Sequence, residues 1–261
     1  MRIFTGFQRF HLFIIILLIN GSVFANPLVR LTSGEWPPYL SQTLPNGGFA
    51  AKIVTEAFFE QGINVEIGYY PWKRSYNYAL TGKDPAGHTW NGTMVWVHTD
   101  DRAKSFFYSD AVVVDEEVLF YLSKSPLHWK SVSDLEGKTL GGTAHTVYPA
   151  FEKAEKQGRL TIQRGGNYDT LLKRVYHLKI DAAPLVKQVG LYYLQQNFSP
   201  TEQKQFSYSP TVVEKRYYHL ILSKNVEGNA ELMDAFNRGL AQLHRSGRYK
   251  QLLSQLRRGD F

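Results

Sequence analysis

Residues 29–80, VRLTSGEWPPYLSQTLPNGGFAAKIVTEAFFEQGINVEIGYYPWKRSYNYAL, carry two strand–helix units in succession. Val29–Thr32 reads as a short strand. It opens into Gly34-Glu35-Trp36-Pro37-Pro38-Tyr39, a loop stiffened by two prolines with fixed φ. Ala50, Ile53, Val54, Ala57 and Phe58 then recur at the i, i+3, i+4 spacing of a helix with one apolar face, and Gly62 ends it. Val65, Ile67 and Tyr69 alternate as a strand, and Trp72–Leu80 is a short helix entered through Pro71. A β-α-β-α rhythm of this kind argues for an open α/β sheet.

The rhythm returns in the middle of the chain. Lys138–Gly142 predicts a strand leading to Gly141–Thr146 and then a helix through about Lys156. Tyr168–His177 predicts a helix with Leu171, Leu172 and Val175 inward, Ile180–Ala183 a strand, and Val189–Leu194 the start of another helix. Two β-forming segments, Glu117–Ser123 and Arg216–Ser223, bracket this unit. They read as two crossovers between lobes, with ordinary core strands as the alternative. The expected division is lobe 1 at residues 26–117 plus 222–261 and lobe 2 at 118–221. The tail returns to helix: Leu232, Phe236, Leu240 and Leu243 form a stripe closed by Gly247, and a last helix lies near Tyr249–Leu256.

The N-terminus has the three parts of an export signal. Arg2 and Arg9 supply the basic start, Leu12–Ile19 the apolar run, and Val23-Phe24-Ala25 a small-residue cleavage site. Cleavage after Ala25 and a periplasmic location are expected; an uncleaved anchor is the alternative. The run is short for a membrane span, which needs roughly 20 apolar residues. The absence of cysteine in 261 residues excludes a disulfide scaffold, a thiolate metal site and a cysteine nucleophile. It suits an oxidising compartment. A net charge of +7 without any Lys/Arg block favours small anionic partners over nucleic acid.

Enzyme signatures are missing: there is no GxSxG, GxxxxGK[ST], GxGxxG or HExxH. No catalytic residue, metal site or cofactor is therefore expected. What remains is a set of polar and aromatic residues at the carboxyl ends of strands, where open α/β sheets bind ligands. Glu35, Trp36 and Tyr39 follow the first strand, Trp72 follows Pro71, and Trp96 precedes Thr99-Asp100-Asp101-Arg102. Thr143, His145 and Thr146 stand at an expected helix start whose N–H groups suit an anion. Arg102 suits a carboxylate held by two parallel hydrogen bonds. The plainer alternatives are core packing for each tryptophan and a surface ion pair with Asp100 or Asp101 for Arg102.

Taken together, these segments resemble solute-binding protein family 3, the periplasmic binding proteins of polar amino-acid ABC importers. SGEWPPYL (33–40) is similar to the family's first loop, and residues 47–83 to its first helix, second strand and second helix. Thr99-Asp100-Asp101-Arg102 with Phe107-Tyr108-Ser109-Asp110-Ala111 resembles the T-x-x-R…F-S-x-P-Y block, whose arginine clamps the ligand carboxylate. Residues 131–153 resemble the second-lobe entry loop, and 232–255 the C-terminal helix pair.

The resemblance implies an α/β, two-lobed type II fold with two hinge crossovers, closing as a monomer on a small carboxylate-bearing solute for delivery to an ABC importer. A ligand-presenting sensory module for a membrane receptor is the alternative. A further one is a dehydratase-like enzyme on the same scaffold, for which His145 or Glu35 would be the acid or base. The chain departs from the pattern where the family places an ammonium-binding aspartate: Ala183-Pro184-Leu185-Val186 is apolar. Common α-amino acids are accordingly expected to bind weakly, unless Glu35 or Asp181 takes over that site.

Overall fold

Alternating strands and amphipathic helices organise the computed structural model, which describes residues 27–143 and 146–261. The export segment 1–25 and His145 lie outside the described residues. The strands are β1 (Leu28–Ser33), β2 (Asn64–Tyr69), β3 (Gly92–Val97), β4 (Phe106–Leu122), β5 (Thr139–Gly142), β6 (Thr161–Arg164), β7 (Ala183–Val186), β8 (Phe206–Tyr208) and β9 (Glu214–Ser223). The helices are α1 (Phe49–Phe59), α2 (Trp72–Thr81), α3 (Asp100–Ala103), α4 (Pro149–Lys156) and α5 (Tyr168–Tyr176). They continue with α6 (Lys187–Asn197), α7 (Pro200–Gln203), α8 (Asn229–Arg245) and α9 (Arg248–Arg258).

Among the described residues, one sheet has the order β2-β1-β3-β9-β4-β7, with β8 also on β4; β5 and β6 form a second, parallel pair. β1 runs parallel to β2 and β3, as the opening β-α-β-α stretch requires. β9 and β4 are antiparallel to each other and hold the structure together lengthwise. Residues 106–108 of β4 pair with the end of β9 near β3, whereas residues 117–122 pair with β7 and β8. The β4–β9 ladder shifts register at Tyr108/Ala111 and again at Ala111/Val113, and such irregularities bend a strand.

Among the described residues, three larger apolar cores result, besides a small cluster of Ala79, Phe106 and Ile221. The first joins α1, β1, β3 and α8, with Ile53, Val54, Phe58 and Phe236 buried and the Phe58 and Phe236 rings 5.1 Å apart. The second joins the end of β4 to α5 and α6 through Phe120, Leu171, Leu172 and Leu194. The third gathers Trp129, Leu140, Phe151 and Ile162 around β5 and β6. Tyr218, Leu220 and Leu222 pack in the first core, and Tyr218 pairs with Val97 of β3. The later part of β9 thus lies in the core that α1 and α8 share.

Two local expectations are corrected. The helix expected to begin near Thr146 begins at Pro149, with Tyr148 as its cap. Pro149 occupies the first helical position, where its fixed φ suits the helix. The strand expected at Ile180–Ala183 runs instead from Ala183 to Val186, with Leu140 bridged to Ala182 just before it.

Candidate ligand-binding site

A cavity of about 280 Å³ opens where the carboxyl end of β3 meets the paired strands β4 and β9. Its aromatic wall is Trp36, Trp72, Trp96, Tyr168 and Tyr218. Val95, Val97, Thr146 and Val186 also line it, and Arg102, Glu117 and Arg216 supply the charges.

Each wall residue is set by local structure. Gly34 lets the Trp72 ring lie against the backbone, since a Cβ there would stand 2.3 Å from Trp72 Cδ2. Trp72 Nε1 donates to the Glu35 carbonyl at 3.2 Å, which fixes the ring's orientation. Its ring meets that of Trp96 edge-on, with centroids 5.4 Å apart and planes at 88°, a favoured quadrupole arrangement. Trp36 packs on Tyr218 at 4.7 Å. Burial pushes the Tyr168 hydroxyl up to about 12 and raises that of Tyr218 as well, so both are neutral hydrogen-bonding groups near neutral pH.

Arg102 is pre-arranged. Thr99 caps α3 by accepting from the Arg102 N–H at 3.3 Å, which fixes the backbone. The guanidinium carbon lies 4.8 Å from the Trp96 ring centroid, and Nη1 donates to the Val97 carbonyl at 2.9 Å. These contacts hold the group while using one of its five donors, so a planar carboxylate still finds a forked partner. The alternative of an ion pair with Asp100 or Asp101 is not its contact; Asp101 pairs with Lys104 at 3.1 Å.

The other expected residues divide. Trp36, Trp72, Trp96, Arg102 and Thr146 line the cavity. Thr143 stands behind Thr146, with the two hydroxyls bonded to each other and the Thr143 N–H given to the Tyr148 hydroxyl at 3.0 Å. Tyr39 is buried in the core at 1% exposure, with its hydroxyl donated to Asp115. Glu35 is exposed and accepts from the Gln42 N–H at 2.9 Å, away from the cavity. Asp181 is likewise engaged elsewhere, by the Thr139 N–H at 2.8 Å and Lys138 at 3.4 Å. Neither Glu35 nor Asp181 is among the residues that line the cavity, whereas Val186 is.

Comparison with solved structures decides the architecture. The ligand-binding core of GluR0 in complex with L-glutamate superposes with a TM-score of 0.69 at 14% identity, covering 88% of this chain and 97% of that one. The fold is that of the two-lobed type II periplasmic binding proteins. The second substrate-binding domain of a putative amino acid ABC transporter from Streptococcus pneumoniae gives 0.66 at 18% identity, over 88% of this chain and 99% of that chain. A histidine kinase sensor domain with similarity to periplasmic binding proteins gives 0.65 at 16% identity, over 88% and 96%. No family model matches the chain, and neither does any curated protein.

Six cavity residues escaped sequence reasoning: Val95, Val97, Glu117, Tyr168, Arg216 and Tyr218. One signal was available. Arg216 and Tyr218 sit two apart on a strand and so share a face. Glu117 and Arg216 form a buried ion pair across β4 and β9, with Oε2 and Nη2 3.0 Å apart and side chains 6% and 18% exposed. Burial raises the Glu117 carboxyl above its usual range, although Arg216 opposes that shift. Burial also works against the Arg216 charge, but Glu117 and Glu214 outweigh it.

Proposed function

We propose that this chain is an exported solute-binding protein of the polar amino-acid type that captures a small carboxylate-bearing solute by hinge closure and hands it to an ABC importer. The observation that carries this reading is the aromatic cavity with Arg102 held ready at its rim. A cavity of about 280 Å³ is at the small end for ligand sites, which suits a metabolite rather than a peptide. Its apolar walls favour a flat or hydrophobic body on the carboxylate.

The groups present support binding rather than catalysis. Among the described cavity residues the ionisable pair Glu117–Arg216 is locked in charge contact, and Glu35, one of the two acid/base candidates, points elsewhere. Lobe 1 is read as 26–117 plus 222–261, and lobe 2 as 118–221. The crossings are then the segments Glu117–Ser123 and Arg216–Ser223, whose first residues line the cavity. A ligand touching Trp36, Trp96 and Arg102 from one lobe and Thr146 and Val186 from the other binds the closed form more tightly, and shifts the equilibrium by that difference.

The test is a thermal-shift screen over small carboxylates, peptides and amino acids, followed by calorimetry on the best ligand. Arg102→Ala should weaken that binding by about 2–5 kcal/mol, the loss expected when one partner of a sequestered charge pair is removed. Unchanged affinity in the variant would refute the role of Arg102, and a screen without any carboxylate among its hits would refute the reading itself.

A further inference from the structure

The paired strands β4 and β9 carry charge on both faces. Successive residues of a strand point to opposite sides of the sheet. Arg216 and Tyr218 of β9 and Glu117 of β4 line the ligand cavity. Their neighbours Lys215 and Glu116 line a second cavity, of about 580 Å³, on the other face of the ladder. Lys187 and Gln188 at the start of α6 also line it, and so does Arg257 near the end of α9. By the lobe division above, α6 belongs to lobe 2 and α9 to lobe 1. The second cavity therefore lies between the lobes, behind the strands that join them.

Its charges are unevenly matched. Asp115 is engaged by the protein itself: its carboxylate accepts from the Tyr39 hydroxyl, from the Gln188 N–H at 3.2 Å and from the Glu116 N–H at 2.7 Å. The bond to Gln188 sets this acid at the N-terminus of α6, where the helix dipole favours it. Glu116 is the other acid, and it lies opposite Lys215 in the β4–β9 register. That leaves Lys187 and Arg257 without an acid of their own. Among the described residues, neither they nor Lys215 form an ion pair or donate a side-chain hydrogen bond, whereas Arg216, Arg248 and Arg258 each grip a carboxylate. Lys187 is held at the cavity all the same, with Nζ 4.4 Å from the centroid of the Tyr208 ring. Each lobe thus presents a cation to the gap, and Lys215 stands on the strand between them.

We propose that this rear cavity binds a compact polyanion, phosphate- or carboxylate-based, that bridges Lys187 to Arg257 and holds the lobes against closing. This extends the reading above and rests on it for the closing motion, whereas the anion site itself does not. The ligand's chemistry follows from the lining. Cations on two separate elements call for at least two anionic groups, each taking charge-assisted hydrogen bonds. Lobes that turn about shared strands narrow the cleft on one face as they widen the gap on the other. A bridge across the rear gap therefore resists the rotation that closes the front cavity on its carboxylate. Coupling between two sites is reciprocal, so each ligand weakens the binding of the other by the same factor.

Calorimetry with sodium pyrophosphate and with sodium citrate reads the rear site alone and separates the two kinds of anion. At least one of them should bind, and the double variant Lys187→Gln/Arg257→Gln should weaken it about tenfold or more. Coupling is read with 3-phenylpropionate and 4-(aminomethyl)benzoate, two carboxylates that carry a flat ring to the front cavity. Saturating polyanion should weaken their binding about fivefold or more relative to sodium chloride of equal ionic strength. In the double variant their affinity should be the same with and without the polyanion, and far-ultraviolet circular dichroism verifies that it is folded. If neither polyanion binds, or the double variant binds it as well as the parent does, the rear site is overturned. If the polyanion binds there and the front probes are weakened no more than by chloride, its hold on closure is overturned. If the polyanion binds there and neither front probe binds at all, the rear site is upheld and the front cavity's taste for flat carboxylates is what fails.

Discussion

Gly239 of α8 sits where that helix crosses α1, and alanine there should destabilise the protein although alanine is the better helix former. A Cβ at Gly239 would lie 1.9 Å from the carbonyl oxygen of Ala57 and 2.7 Å from its carbonyl carbon. Both atoms are backbone, so no side chain can rotate away. The helices must separate by more than an ångström, and the gap opens next to Phe58 and Phe236, buried and 5.1 Å apart. In an exposed helix the change would contribute about 1 kcal/mol of stability. Overpacking in a tight interior costs typically 1–3 kcal/mol, and lost contacts around the parted rings add to it. The net expectation for Gly239→Ala is a loss of about 1–3 kcal/mol, a fall in Tm of roughly 2–10 °C for a chain of this size. Urea unfolding followed by circular dichroism, with Ala241→Gly on the same helix as the propensity control, measures it. A Gly239→Ala variant as stable as the parent would refute the close approach of α1 and α8.

Two further outcomes follow from other contacts. Arg248 grips Glu56 with Nε at 2.8 Å and Nη2 at 2.7 Å, and Lys52 adds a contact at 3.2 Å, so the Glu56 carboxyl is lowered below its ordinary 4.5. A lowered carboxyl stabilises the fold above the unfolded pKa and loses that contribution as pH falls through the folded one. Glu56→Gln should therefore cost about 1 kcal/mol near neutral pH, discounted for its partial exposure, and the deficit should vanish toward pH 3; equal deficits at both pH values would contradict the pairing. Gly34→Ala would press a methyl group into Trp72, 2.3 Å from Cδ2, and displace a cavity wall. Because that ring is only half-buried, the expected result is about tenfold weaker binding of 3-phenylpropionate by calorimetry, as for the loss of one aromatic contact, with little change in Tm; unaltered affinity would remove Trp72 from the site.

The fold was legible where periodicity was clean. Ile53, Val54, Ala57 and Phe58 on α1, and Phe236, Leu240 and Leu243 on α8, were readable as buried faces because a helix that buries one side repeats every 3.6 residues. Boundaries in the middle unit slipped by about three residues, since Ala182-Ala183-Pro184-Leu185 is uniformly apolar and has no period to anchor it. Of the residues on strand-end loops, Trp36, Trp72 and Trp96 come together around one cavity. Tyr39, from the same loop, went inward because Asp115 on β4 offered its hydroxyl a buried partner. That partner lies 76 residues away, and Glu117 and Arg216 are similarly remote from each other in sequence. Such pairs become visible only through the β4–β9 register, which residue types in one chain do not specify.

Closure of two lobes upon a carboxylate is the central claim, and the distance between the lobes tests it most directly. The chain has no cysteine, so Lys73→Cys and Lys153→Cys introduce a unique pair for spin labels, both at exposed positions on α2 and α4. Double electron–electron resonance with and without saturating 4-(aminomethyl)benzoate or 3-phenylpropionate then reads the separation. The account predicts a distance distribution that shortens and narrows with ligand, and an Arg102→Ala protein that keeps the ligand-free distribution at the same concentration. A distribution that stays unchanged while calorimetry shows the ligand bound would contradict it.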